Sequence, residues 1–397
     1  MRRGSWYQFG DRSQRLAQEL LEAGVGVGVV LSPRDLTFPK ACQYAETYKS
    51  LGAEVLIDLQ FYVPAFSNSN METYPTNEYR LALSDLTRIP VRDAMGLAGN
   101  LERIESALRV DAVLAPALAY ESGRHDLDEL NARLFQVGKA VGDNLGIPTY
   151  STVVLGNSAT TSGVVLQASL SQATALDADG WYYAFEFSPE RIPSDASEVL
   201  RCLQAGLTLA CTGRPVLHAY AGPMALLSHC FGAAGAAIGH SQNLWRFSRD
   251  RWETGPAQGG GGDAPPRFFS SSLWGTVIYP DEIAQLTPAL RAEVITPTEY
   301  STQVPAGLPW DRWDANKHFM AIVGRAVGSV STRTDPLVCT RAASSVLEQA
   351  SSLHGRIAAT GVILRDNTFA YQNNWLRSLQ QLATESRTDF EYLNLIT

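Results

Sequence analysis

The sequence predicts an α/β chain folded as a (β/α)8-type TIM barrel with a mainly helical C-terminal extension. Three observations carry that expectation. Strand-forming apolar runs alternate with helical stretches from about residue 25 to residue 250, the pattern of a parallel sheet covered by helices. Almost every run ends in a polar or charged residue, and in a barrel those carboxyl ends meet on the face that carries the chemistry. A length of 397 residues suits one barrel of roughly 250 residues with an appendage.

Residues 1–24 read as a short amphipathic lead-in, with Leu16, Leu20 and Leu21 at helical spacing. The first strand is Gly28-Val-Val-Leu-Ser-Pro-Arg-Asp35, and the helix after it starts near Pro39 with Ala41, Tyr44, Ala45, Tyr48 and Leu51 on one face. Residues 53–62 form the second strand, ending in Asp58, Gln60, Phe61 and Tyr62. A third begins at Asp111, and the helix of 127–145 follows with Leu130, Leu134, Val137 and Val141 as its stripe. Strands at 148–157 and 181–186 come next, then the helix 196–210 with Asp195 as its cap. Residues 215–220 and 236–240 are the sixth and seventh strands. A barrel needs eight. The missing one is sought within 60–110 or at 273–279, and a doubly wound open sheet is the alternative fold. No glycine fingerprint follows the first strand, which argues against a dinucleotide site there.

The expected organisation is a barrel domain over 1–258, a glycine- and proline-rich joint with barrel closure over 259–310, and a helical extension over 311–397. The joint includes Gly259-Gly-Gly-Gly262 and Pro265-Pro266. Residues 64–80 are polar and turn-rich and directly follow Asp58 and Gln60, so they are expected to form a loop over the active face.

Composition narrows the function. No apolar run approaches the roughly 18 residues of a membrane span, and no apolar stretch follows the basic N-terminus, so a cytoplasmic protein without membrane partners is expected. Five cysteines, none in CxxC or CxC spacing, argue against a disulfide framework and a thiolate zinc site. The histidines show no HxxxH or HxH pair, so no metal is expected, and no cofactor motif is present. The net charge of −8 argues against a general nucleic-acid coat, but it is uneven: residues 311–397 carry nine basic and eight acidic side chains, residues 1–310 carry 23 and 32. Only four of the basic residues are Lys, the rest being Arg, the better fork for phosphate.

Asp58 closes the apolar strand Val55-Leu56-Ile57, which places a carboxylate at the barrel mouth beside the amide of Gln60 and the rings of Phe61 and Tyr62. Those groups suit a flat heterocycle, rings stacking on the base and an amide reading its edge; a turn-capping role is the alternative. Glu186, flanked by Phe185 and Phe187, is the second candidate catalytic carboxyl, unless it pairs with an arginine such as Arg191. Arg34, beside Asp35, is a candidate substrate contact, or the two pair with each other. Glu121, His125, His218 and Tyr220 are weaker candidates, since a lone strand histidine is more often structural. The segment from His218 to His240 reads as strand, glycine turn, short helix, glycine and strand. Residues 241–251 then mix Asn243 and Trp245 with Arg246, Arg249 and Arg251, as a nucleic-acid groove or a solvated amphipathic segment does.

On these residues the chain resembles the tRNA-guanine transglycosylase superfamily over roughly 25–250. Gly222-Pro223, Leu226-Leu227, Gly232 and Ile238 are similar to that family's penultimate turn, helix and last strand, and Asp58-Leu-Gln60-Phe61 looks like a reduced form of its Asp-Ser-Gly-Gly-Phe-Gln motif. Where the family's last strand ends in a nucleophilic Asp, this chain has Gly239-His240, and the family's Cys/His zinc site is absent. The resemblance therefore implies the DNA-directed branch, and within it hydrolysis rather than base exchange. It implies a DNA glycosylase acting on a modified base such as glucosylated hydroxymethylcytosine, in phage defence. Asp58 would stabilise the sugar cation or activate water, and Glu186 would protonate the leaving base. Phe61, Tyr62 or Trp245 would stack on that base, with Arg34, Gln60, Tyr220, His240 and Asn243 as further substrate contacts. Arg246, Arg249 and Arg251 would hold phosphates. Base exchange, a binding-only barrel and a small-molecule barrel enzyme are the alternatives.

Overall fold

The computed structural model describes residues 1–83, 91–188, 190–253, 265–333, 335–366 and 369–396. Its eight barrel strands are β1 (Gly4–Gln8), β2 (Gly28–Leu31), β3 (Glu54–Ile57), β4 (Val113–Ala115), β5 (Thr149–Leu155), β6 (Gly180–Phe185), β7 (Val216–His218) and β8 (Gly235–Ile238). They form one parallel sheet in the order β3-β2-β1-β8-β7-β6-β5-β4, a (β/α)8 TIM-barrel arrangement. The seam between β3 and β4 is spanned by the Asp111 amide, which donates to the Val55 carbonyl at 3.0 Å. The Asp111 carboxylate answers it by accepting the Val55 amide at 2.6 Å.

The eighth strand is β1, which corrects both places proposed for it. Its inward residues Trp6 and Gln8 alternate with outward Ser5 and Tyr7, so no apolar run marks it. Between 60 and 110 the described residues hold helices Asn77–Ala82 and Val91–Leu108 and a short turn at Met71–Thr73, but no strand. Residues 273–279 do contain a strand, β10 (Gly275–Ile278), yet it pairs antiparallel with β9 (Arg267–Ser270) outside the barrel. That hairpin has its own small core of Phe268, Val277, Tyr279 and Trp310. The Gly259–Gly262 part of the expected joint lies outside the described residues.

The register alternates side chains between the barrel interior and the helical layer. Trp6, Val30, Leu56, Tyr150, Val154, Tyr182, Ala184, Leu217 and Ala237 form the inner cluster. Three inward glycines make room for its large rings. A methyl group at Gly28 would stand 2.5 Å from the Trp6 ring, one at Gly180 2.7 Å from the Tyr150 ring, and one at Gly235 2.8 Å from Trp6 Nε1. Small opposite large fills the lower barrel, so it is a packed core and not a pore.

Outside, the connection from β7 to β8 holds only short turns at 222–231, too little to cover β7, β8 and β1. The C-terminal helices do that instead. Helix Arg312–Ser331 packs on β1 and β8, helix Pro336–Ala358 covers the short turns, and helix Phe369–Glu385 lies on Ala196–Ala210. Phe319, Val323, Leu347, Trp375 and Leu379 accordingly share one apolar cluster with the outward residues of the strands. Asp195 caps helix Ala196–Ala210 as expected, accepting the Glu198 amide at 2.9 Å.

Candidate active site

At the carboxyl end of the barrel the strands deliver a polar layer. Asp58 follows β3 directly and is 3% exposed. Its Oδ2 accepts three tyrosine hydroxyls: Tyr62 at 2.7 Å, Tyr182 at 3.0 Å and Tyr220 at 3.2 Å. The Gln60 amide donates to its Oδ1 at 3.0 Å. Gln8 Oε1 lies 3.1 Å from the same Tyr182 hydroxyl and shares its single proton with Asp58, and Gln60 Nε2 donates to Ser32 Oγ at 3.0 Å. Residues within or just beyond β3, β6 and β7 thus converge on one carboxyl group, with Gln8 of β1 and Ser32 after β2 bonded to its partners. Two of them hold backbone that side chains resist, Gln60 with φ 59° and Tyr220 with φ 52°. Such conformations cost on the order of 1–3 kcal/mol each and gather at functional sites.

Burial pushes the Asp58 carboxyl upward, while the Tyr62 hydroxyl, the Gln60 amide and the other two hydroxyls pull it back; the net is a raised pKa. Burial also raises Tyr62, Tyr182 and Tyr220, with Asp58 adding to each, so all three stay protonated donors. Gln8 Nε2 and Gln60 Oε1 are buried without a hydrogen-bond partner among the described residues. An amide donor and an amide acceptor therefore flank the carboxyl, each able to bond the edge of a polar ring.

A roof closes this layer. The Phe247 and Trp252 rings stand edge-on to Tyr62, with centroids 5.2 and 5.7 Å away, and Tyr220 meets both at 5.4 and 6.2 Å. Gly222 lets the roof segment come down on the barrel rim: its φ is 47°, and a methyl group there would stand 2.4 Å from Trp245 Cα. The roof is tied by Glu186. Its carboxylate accepts the Asn157 amide and the Arg249 amide, both at 2.8 Å, and is forked by the Arg249 guanidinium at 2.7 and 3.0 Å. Arg249 Nη2 also meets Glu121 at 2.5 Å.

Arg34 and Arg251 form the charged edge of the mouth. Their guanidinium carbons lie 5.5 and 5.2 Å from the Trp252 ring centroid, and Arg34 also faces Phe66 at 5.6 Å. Arg251 pairs with Asp35 at 3.1 Å. Arg34 has no ion pair among the described residues, and one nitrogen of each guanidinium is buried without a partner. Burial lowers the Arg34 pKa, and Arg251 lowers it further. The loop of 64–80 reaches this edge: Asn68 and Asn70 each donate to the Arg34 carbonyl at 3.0 Å.

The structure thus gathers Asp58, Gln60, Tyr62, Tyr220, Arg34 and Arg251. The Phe61 ring points the other way, into the packing between barrel and helices. His240, Asn243 and Trp245 line a separate cleft of about 570 Å³ beside the mouth, and Trp245 stacks on Phe319 at 4.4 Å. Burial, then Arg251, lowers His240 to about 4, so it is neutral. Arg246 lines a smaller cleft with Arg251, while Arg249 is held by Glu186 and Glu121. His218 is buried against Ser228 Oγ at 2.8 Å and the Tyr183 ring. His125 begins helix His125–Leu145.

Sequence reasoning missed Gln8, Ser32, Tyr182, Phe247 and Trp252. Period-two parity signals two of them, since Ser32 lies two residues beyond inward Val30 and Tyr182 lies four before Glu186. Gln8 sits on the unrecognised strand. Among the described residues no group of three or more His, Cys, Asp or Glu is placed to hold a metal, and no helix is long and apolar enough to cross a membrane. No protein-family model matches the chain, and no curated protein matches it.

Proposed function

We propose that this chain is a DNA glycosylase. It hydrolyses the N-glycosidic bond of a modified base and leaves an abasic site, in defence against phage whose DNA carries such bases. The observation that carries the reading is Asp58, a carboxyl at a barrel mouth held by three tyrosine hydroxyls between two amide groups with unused bonding capacity. The target nucleotide flips out of the stack into this layer. Gln8 and Gln60 bond the base edge, Tyr62 and Tyr220 border its ring, and Arg34 with Arg251 takes the phosphate. Asp58 faces the sugar as positive charge grows at its anomeric carbon and accepts the proton of the attacking water. The water oxygen bonds to that carbon, the bond to the base nitrogen breaks, and the proton ends on the released base. No co-reactant is required.

Glu186 has both oxygens occupied by Arg249 and two backbone amides. Its part in this mechanism is to hold the roof, leaving acid–base work to Asp58. A nucleotide reaches the mouth only when the roof lifts, and the Arg249 fork is the contact that must yield. The closed mouth also favours a second reading, a small-molecule barrel enzyme whose substrate needs less room. Base exchange requires a carboxylate nucleophile after the last strand, where neutral His240 stands.

The test is incubation with DNA containing canonical bases and, separately, glucosylated hydroxymethylcytosine. Released base is read by mass spectrometry and abasic sites by strand cleavage. The proposal expects release from the modified DNA alone. Absence of release from every DNA offered, with turnover of a small glycoside instead, supports the second reading and sinks the first.

A further inference from the structure

Beside the mouth, at the same end of the barrel, two clefts adjoin. The larger, about 570 Å³, lies between the residues after β1 and β8, the β9–β10 hairpin and the start of helix Arg312–Ser331. The smaller, about 170 Å³, is edged by Arg191, Arg246 and Arg251. Both are lined by Gln242 and Asn243, so they run into one another along the segment after β8. The larger alone falls in the roughly 300–1,000 Å³ range of ligand sites.

The lining is cationic in a chain whose net charge is −8. Six arginines line the two clefts against Asp11 and Asp250. Arg191 and Arg267 pair with Asp366, and Arg251 with Asp35. Arg246 feels Asp250 without an ion pair among the described residues, Arg12 meets the exposed Asp11 at 3.6 Å, and Arg312 has no ion pair among the described residues. Between these cations stand the side-chain amides of Gln242, Asn243 and Asn316 and the half-buried Trp313. The lining residues His240, Trp245, Thr276, Arg246 and Arg251 each carry a buried polar atom without a partner among the described residues. Arg12 adds a strained backbone, with φ 59°. Guanidinium groups spaced along a groove, interleaved with amides and an aromatic edge, are the chemistry that tracks a phosphodiester backbone. Arg251 lines the smaller cleft and also lies against Trp252 of the roof, so the groove ends at the Asp58 mouth.

We propose that the two clefts are one groove holding a single phosphodiester strand beside the barrel mouth, with Arg12 and Arg312 at one end and Arg246 and Arg251 at the other. The proposal rests on the nucleic-acid reading of the mouth and adds the path of the strand that delivers the nucleotide. Fluorescence anisotropy of labelled dT12 and rU12 oligonucleotides with the full chain, across a salt series, tests it. Arg12 and Arg312 are exposed, so the double variant Arg12→Gln/Arg312→Gln keeps the fold; Arg377→Gln/Arg387→Gln, two exposed arginines on the last two helices, is the charge-matched control. The expected result is binding that weakens roughly tenfold in the double variant, with the log–log salt slope reduced by about 1.4 for two lost phosphate contacts, and no change in the control. Tighter binding of dT12 than of rU12 assigns the strand to DNA, the reverse to RNA. Equal affinity of wild type and double variant, or no binding of either oligonucleotide, overturns the groove. Base release measured in parallel separates the two claims. Release with an unaffected double variant leaves the glycosylase standing and removes the groove; groove binding without release does the opposite.

Discussion

Tyr182→Phe is the sharpest probe of the mouth. It deletes one of the three hydroxyls on Asp58, the one at 3.0 Å, and also removes the donor at Gln8 Oε1. A hydrogen bond to a charged group contributes about 1.5–3 kcal/mol, and one pKa unit corresponds to about 1.4 kcal/mol. The Asp58 pKa, already raised by burial, should therefore climb further when that hydroxyl is lost. A carboxyl with a raised folded pKa binds its proton in the fold where the unfolded chain has released it, so stability falls as pH rises from the unfolded value through the folded one. The variant extends that falling window upward. Carbon-13 titration of the aspartate carboxyls, with Asp58→Asn assigning the resonance, reads the shift directly, and urea unfolding at several pH values reads its consequence. An Asp58 pKa unchanged or lowered in Tyr182→Phe would refute the hydroxyl collar as the source of carboxylate stabilisation.

Two further predictions concern groups away from Asp58. Glu105 is 1% exposed on helix Val91–Leu108, neither oxygen has a partner among the described residues, and burial drives its pKa well up. Above the unfolded carboxyl range its contribution destabilises the fold by up to about 1.4 kcal/mol per pH unit. Glu105→Leu should raise the urea midpoint at pH 8 more than at pH 5; a midpoint lowered equally at both would contradict this. Arg249→Met leaves Glu186 and Glu121 facing each other without their cation, at a cost of about 3 kcal/mol. A double-mutant cycle with Glu186→Gln should show coupling above about 1 kcal/mol, and near-zero coupling would mean that the roof is held elsewhere.

Much of the fold was legible because six of the seven recognised strands end in polar residues after apolar runs, β4 running instead into Ala115-Pro116, and that pattern survives burial on both faces. β1 was not, because Trp6 and Gln8 face a barrel interior that is itself partly polar, so its pattern carries no apolar run. The ring-completing role of Arg312–Ser331 was hidden for a different reason: it depends on the shortness of the β7–β8 connection, a three-dimensional deficit that local periodicity does not record. At the site, Asp58, Gln60, Tyr62 and Tyr220 were readable from strand-end chemistry. Phe61 and Trp245 misled because β3 ends at Ile57 and the backbone turns at Gln60 (φ 59°), which sends the Phe61 ring into the helical packing, while Trp245 is claimed by Phe319. Glu186 was readable as a buried acid, but its partner Arg249 lies 63 residues on, and only the fold brings them together.

The single-turnover rate of base release from DNA carrying glucosylated hydroxymethylcytosine, wild type against Asp58→Asn, tests whether Asp58 carries the proposed hydrolysis. Both proteins are first checked for equal folding by circular dichroism. On the proposed mechanism, neutralising the Asp58 carboxyl should lower the rate by at least about 100-fold, the lower range for loss of a positioned acid–base group, while the fold persists. Release by Asp58→Asn at the wild-type rate would remove Asp58 from the reaction.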